Sequence, residues 1–387
     1  MFRTRSGMVW LLLAACTLTL LLAACAPETT GTPTPPFEGT MPADVTEIPA
    51  PMPGGARQIS VMTHDSFEIS TDVLEAFQTE NNAQVTFLKS GDTGTAVNKA
   101  ILSRGAPLAD VFYGVDNTFL SRALEQDIFE PYVSPLLAEI PDGFELDPQF
   151  RALPVDYGDV CLNYDKAYLA ELGAVDDLTR GQLVLVIALQ EVERFLQRVR
   201  DLLVVQNPAT SSPGLAFLLA TIGHFGEDGY LEFWEGLVEN NVLVVNDWET
   251  AYYSEFTRSG GARPIVVSYG SSPPAEVIFA EEPIDEPPTA AFVNDESCFR
   301  QIEFVGILKG TQNRELAEAW VDFMLSRTFQ EDVPLQMFVF PVNENAQLDE
   351  VFARYMAIPE TTAFVSPEEI AANREDWIRA WTETVLR

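Results

Sequence analysis

Histidine is almost missing from this chain, and its cysteines do not fall at metal spacing. His64 and His224 are the two histidines in 387 residues, and no Cys-x-x-Cys occurs, so sequence neighbours assemble none of the usual transition-metal ligand sets. No glycine-rich stretch has Walker spacing, which removes the phosphate-cradling loop of nucleotide hydrolases. No Ser-His-Asp assignment is forced either, because each candidate serine sits in a turn that helix capping explains. A secreted hydrolase is left as an alternative that would need an activated nucleophile at Ser211. Basic residues are scarce: 23 Lys and Arg against 58 Asp and Glu leave a formal charge of −35. That balance argues against nucleic acid and suits a soluble extracytoplasmic protein or one that receives a cation. Past the N-terminus, the near-unbroken apolar stretch Leu183–Leu189 is too short to span a bilayer. It continues with Val192, Phe195, Leu196 and Val199 at helical spacing.

What is present starts with Arg3 and Arg5 ahead of an apolar run from Met8 to Ala24 that ends Leu22-Ala23-Ala24-Cys25. This reads as a secretory signal over residues 1–24, the alternative being an uncleaved anchor helix. The ending resembles a bacterial lipobox, which implies lipidation of Cys25; Cys16 closes a similar Leu-Ala-Ala-Cys after a very short run. Residues 25–56 are rich in proline and threonine with no apolar period and read as a flexible tether. In an oxidising compartment the remaining Cys161 and Cys298 read as one disulfide, with two free buried thiols as the alternative.

The chain length exceeds a single core, so two lobes are expected, and 47% hydrophobic with 11% aromatic residues can fill both. Three strand, polar turn, helix units follow one another. Gln58–Thr63 leads to a helix near Thr71–Thr79, Gln84–Leu88 to one near Val97–Arg104, and Ala109–Val115 to a third. They predict a mostly parallel sheet with ligands gathering beyond the carboxyl ends of its strands. Leu153–Tyr164 reads as an extended crossover into a second lobe. There the alternation repeats: strand Leu202–Val205, a helix from Pro213, strand Val242–Val245, a helix after Trp248, and strand Pro264–Tyr269. Glu281–Pro288 reads as a return linker, followed by strand Gln301–Leu308 and a helix over Arg314–Ser326. The expected division is 57–155 with 286–327 for lobe 1, and 156–285 with 328–387 for lobe 2. Ser366-Pro367-Glu368-Glu369 is a capping box, opening a helix whose Trp377 and Trp381 share a packing face.

The organising turn is Asn207-Pro208-Ala209-Thr210-Ser211-Ser212-Pro213-Gly214. Proline suits the first helical turn, Ser211 or Ser212 can cap it, and a helix start receives an anion or a polar ligand edge. Around it stand polar and aromatic residues at turn positions of both lobes: Asp65, Asp92, Asp116, Asp156, Tyr157, Ser211, Trp248 and Tyr269. Aromatic faces beside carboxylates can hold an organic cation by stacking, cation–π attraction and charge neutralisation.

Thr63-His64-Asp65-Ser66-Phe67, Gly114-Val115-Asp116-Asn117, Asp156-Tyr157-Gly158, the Asn207–Leu215 turn, Trp248-Glu249-Thr250-Ala251-Tyr252, and Ser268-Tyr269 with Ser272-Pro273 occur in order. Together they resemble the thiamine-binding subunit of bacterial ABC transporters. The resemblance runs from about residue 58 to the closing Glu368–Arg374 helix. It implies an α/β, two-lobed, type II periplasmic-binding-protein fold with a hinge and no catalytic role. The implied partners are thiamine or its phosphates, a membrane permease and, through it, a cytoplasmic ATPase. The receptor would act as a lipid-anchored monomer at the outer face of the cytoplasmic membrane or in the periplasm. The implied ligand-binding set is His64, Asp65, Ser66, Asp92, Asp116, Asp156, Tyr157, Ser211, Ser212, Trp248, Tyr252, Tyr269, Ser272 and Phe338, without a metal or cofactor. Ser211 would meet the alcohol or phosphate tail, while Trp248 and Tyr269 would sandwich the aminopyrimidine. The chain departs from the family in having Ala275 where some members carry tyrosine and Phe338 where they carry tryptophan. It also has Ser70 and Thr71 near the place of another tryptophan. Two alternatives share the fold: an iron(III) receptor using Tyr252, Tyr253 and His64, and a polyamine receptor.

Overall fold

A computed structural model describes residues 55–171, 200–280, 282–293 and 296–387. The signal segment, Cys25, nearly all of the tether, and the Leu183–Leu189 run with its continuation to Val199 lie outside the described residues.

The strands form one mixed sheet. In chain order they are β1 (Arg57–Thr63), β2 (Ala83–Lys89), β3 (Val111–Asp116), β4 (Phe129–Glu130), β5 (Leu153–Asp165) and β6 (Leu203–Gln206). β7 (Leu243–Val245), β8 (Ile265–Tyr269), β9 (Thr289–Phe292), β10 (Phe299–Leu308) and β11 (Phe340–Pro341) follow. The order across the sheet is β2-β1-β3-β10-β5-β8-β6-β7. The two expected parallel groups are present: β2-β1-β3, and β8-β6-β7. Between them β10 and β5 run antiparallel to each other and to their outer neighbours β3 and β8. The stretch expected as a crossover is thus the long strand β5, which belongs to the sheet itself. Cys161 on β5 and Cys298, just before β10, are joined in a disulfide at this seam.

Side-chain alternation fills both faces of the first group. On β1 and β3, Ile59, Val61, Val111 and Tyr113 pack with Phe67, Phe77 and Trp320. Their neighbours Met62, Phe112 and Val115 turn to the opposite face, which continues through Phe217, Trp234 and Trp381. Trp377 and Trp381 are buried on the capping-box helix Pro367–Val385, with Trp381 edge-on to Trp234 at 5.4 Å. The Ser366 hydroxyl accepts the Glu369 N–H, and the Glu369 carboxylate accepts the Ser366 N–H. No helix among the described residues is long and apolar enough to cross a membrane.

Two helices differ from expectation. The one after β2 starts at Thr93 rather than near Val97, because the Asp92 carboxylate accepts the Thr93 N–H at 2.8 Å and caps it. The one after Trp248 is a π-helical turn, Thr250–Glu255, closed by Phe256 N–H to Ala251 C=O. Such turns recur at functional sites.

Candidate functional site

The two groups of strand ends meet at a seam. Gly94, in the first turn of the Thr93–Leu102 helix, donates its N–H to the Thr210 carbonyl at 2.9 Å. A Cβ there would lie 2.8 Å from the Ala209 oxygen, so this approach requires glycine. Asp92 spans the seam, with one oxygen on Thr93 N–H and the other accepting Trp248 N–H at 3.2 Å. Beside it opens a cavity of about 340 Å³, within the range of small-molecule sites.

Seven of the expected residues line this cavity: His64, Ser66, Asp92, Ser212, Trp248, Tyr269 and Phe338. Trp248 is held by its indole N–H, which donates to Ser268 Oγ at 3.0 Å; that hydroxyl is in turn 2.9 Å from Ser272 Oγ. Ser272 therefore supports the tryptophan from behind instead of facing the cavity. Tyr269 receives a hydrogen bond on its hydroxyl from the Gln301 amide at 3.1 Å. Phe338 adopts a left-handed φ of 57°, and its carbonyl accepts Ser271 Oγ at 2.6 Å. A bulky residue in that region marks a locally constrained segment. His64 is seated against Gly114, whose φ of 101° and missing Cβ leave room for the imidazole. Burial, aided by the Lys89 charge, lowers the His64 pKa to about 4, so the ring is neutral at pH 7.

The other expected residues lie outside the lining, each for a visible reason. Asp65 is exposed and accepts the Gly91 N–H at 2.7 Å, tying together the turns after β1 and β2. Asp116 is buried beneath the site and accepts the Thr118 hydroxyl and the Phe119 N–H. Asp156 accepts the Tyr113 hydroxyl at 2.6 Å. Its neighbour Tyr157, on the opposite face of β5, stacks on Phe340 with Arg300 over its ring. Ser211 is wholly buried behind Asp92. Ser211 occupies the N-cap position of the Ser212–Phe225 helix, as expected, and gives its carbonyl to the Leu215 N–H, but its side chain makes no capping hydrogen bond. Tyr252 stacks on Trp248 but sends its hydroxyl away to Glu276 at 2.9 Å.

The expected set omits several lining residues. Glu303 and Gln301 share one parity of β10, but Arg300 stands on the other and the rest of the strand is apolar on both, so no clean alternation marks them in the sequence. Phe279 lies one helical turn beyond Ala275, supplying an aromatic face close to where the family's tyrosine is missing. Tyr253, 53% exposed, and Glu249 stand at the same wall, with Glu68 and the segment 335–339 also contributing.

Charge is the dominant property of the site. The lining holds four acidic side chains (Glu68, Asp92, Glu249, Glu303) and no lysine or arginine. Burial pushes Asp92 up to about 6, against the hydrogen bonds that favour its ionised form. Beneath the cavity Glu303 stands opposite Asp116 on β3 and Asp156 on β5. Burial raises both aspartates to about 7 and drives Glu303 well above the ordinary carboxylate range, with Asp156 adding repulsion. Three buried carboxyls across adjacent strands, with His64 Nε2 3.5 Å from Glu303 Oε1, thus form a floor with no cationic counter-charge.

The thiamine-binding periplasmic protein of Salmonella typhimurium is 29% identical over 334 residues, covering 85% of this chain and 94% of that protein. A solved periplasmic thiamin-binding protein superposes with a TM-score of 0.72 at 27% identity, over 85% of this chain and 96% of that one. The ferric-binding protein of Campylobacter jejuni gives 0.65 at 15% identity, over 84% and 99%, a likeness of fold alone. The architecture is that of the type II periplasmic binding proteins. The bacterial extracellular solute-binding protein family matches residues 106–359, and the chain belongs to that family.

Proposed function

We propose that the protein is a receptor that captures thiamine outside the cytoplasm and hands it to an ABC-transporter permease, powered by a cytoplasmic ATPase. One observation carries the reading: a cavity that sets Trp248, Tyr253, Tyr269, Phe279 and Phe338 beside Asp92 and three other acidic side chains, with no lysine or arginine in the lining. An aromatic, permanently charged ligand satisfies both features at once, its rings against aromatic faces and its cation against Asp92. The names of the relatives support thiamine as that ligand. The lobes 57–155 with 286–327, and 156–285 with 328–387, would close over it, and the closed form would dock to the permease. Lipidation at Cys25 and the tether would keep a monomeric receptor within reach of the membrane.

Thiamine titration followed by tryptophan fluorescence tests this reading. Saturable quenching that is lost in Trp248→Ala is expected; an unresponsive wild-type protein would overturn it. The iron reading has weaker support, because Tyr253 lines the cavity while Tyr252 lies outside it with its hydroxyl bonded to Glu276.

A further inference from the structure

The helix Ser272–Ile278, with its C-cap Phe279, carries Ser272, Glu276 and Phe279 at positions i, i+4 and i+7, and so on one face. Phe279 lines the cavity, whereas Ser272 and Glu276 lie behind its aromatic wall. Ser272 acts on the edge of Trp248: its hydroxyl meets Ser268 Oγ at 2.9 Å, and Ser268 accepts the indole N–H at 3.0 Å. Glu276 acts on the face of the same ring. Its Oε1 accepts the Tyr252 hydroxyl at 2.9 Å, and Tyr252 stacks on Trp248 with ring centroids 5.1 Å apart and planes 21° apart. Arg258 Nε donates to the other oxygen of Glu276 at 3.1 Å, and only 13% of the Glu276 side chain is exposed. Burial, aided by the Glu276 charge, holds the Tyr252 pKa well above the usual tyrosine value, so its hydroxyl keeps its proton and donates. The π-helical turn Thr250–Glu255 also sets Tyr253 edge-on to both rings, 5.3 Å from Trp248 and 5.5 Å from Tyr252.

We propose that Glu276 is a positioning residue for ligand capture: through the Tyr252 hydroxyl it fixes the surface on which Trp248 rests, so that the indole is ordered before the ligand arrives. This rests on the thiamine reading and assigns the order of its Trp248 wall to a residue outside the cavity. Without Glu276 the buried Tyr252 hydroxyl has lost its acceptor, and the ring turns to find another. Trp248 then loses the surface beneath it, and binding has to order both side chains, a cost of about tenfold in affinity. Glutamine keeps an acceptor oxygen in place and gives up only the ion pair with Arg258, whose side chain is 40% exposed and whose attraction is therefore screened.

The test compares Glu276→Ala, Glu276→Gln and Tyr252→Phe by near-ultraviolet circular dichroism without ligand and by calorimetric titration with thiamine. The alanine variant is expected to lose the part of the aromatic signal that Trp248→Phe also removes, and to bind thiamine about tenfold more weakly. The glutamine variant should keep the signal and the affinity of the wild type. Tyr252→Phe, which retains the ring without the hydroxyl, should shift both readouts in the direction of alanine, and adding Glu276→Ala to it should change neither further. That phenylalanine variant carries the comparison if the alanine variant does not fold. Wild-type signal and affinity in Glu276→Ala or Tyr252→Phe would overturn the proposal, as would a glutamine variant as weak as alanine. A lost signal in Glu276→Ala beside a wild-type protein that does not bind thiamine would overturn the receptor reading and support the ordering of Trp248 by Glu276.

Discussion

Replacing Asp92 by asparagine isolates the charge that a bound cation would meet. Asparagine is as good an N-cap as aspartate, so the start of the Thr93–Leu102 helix should hold. Burial raises the carboxyl from 3.8 to about 6, which at about 1.4 kcal/mol per unit is about 3 kcal/mol of unrelieved ionisation cost. Solvent reaching this cavity edge screens part of it, leaving about 2 kcal/mol for a cation to recover. The Coulomb energy of a cation about 5 Å away at an effective dielectric of 20 is about 3 kcal/mol, the same order. Asp92→Asn should therefore weaken thiamine binding about 30-fold by calorimetry at pH 7.5. The pH dependence has a definite sign. Protonation of Asp92 competes with the cation, so wild-type affinity should fall as pH drops through about 6, and this step should disappear in the variant. A variant within threefold of wild type, or one retaining the step, would refute the reasoning.

Gly94→Val should open the seam against Ala209 and Thr210, costing about 1–3 kcal/mol, seen as a lower Tm together with weaker thiamine binding. Asp116→Asn should stabilise the ligand-free protein in a pH-dependent way. The folded carboxyl keeps its proton up to about 7 whereas the unfolded one loses it near 3.8, so wild-type stability from this group falls as pH rises through that window. The gain in urea unfolding should grow from near zero at pH 4 to about 4 kcal/mol at pH 8; a flat difference would contradict it. Reducing the Cys161–Cys298 bridge, which closes a separation of 137 residues, should remove about 5 kcal/mol by the chain-entropy relation. Its readout is a Tm drop of roughly 7 °C on adding a reductant.

Local patterns made most of the fold legible. Strands such as Val111–Asp116 and Gln58–Thr63 are short apolar runs ended by polar turns, and the Ser366 capping box marks its helix in four residues. The antiparallel placing of β5 and β10 was not legible, because both are buried on two faces and lack the alternation that betrays pairing. At the site, expected residues line the cavity where the turn after their strand faces it, as with His64, Asp92 and Trp248. Asp116, Asp156 and Tyr157 stand outside the cavity lining, and nothing in one chain tells which side of a strand end faces it. Glu303 escaped because a carboxylate inside an apolar strand is recognisable only once its cross-strand partners are known.

The most direct test of the account is calorimetric titration of the purified protein with thiamine, run beside spermidine and ferric citrate. One-to-one thiamine binding at micromolar or tighter, with little heat from the other two, is the predicted result. Silence with thiamine, accompanied by saturable spermidine binding or a coloured ferric complex, would contradict it.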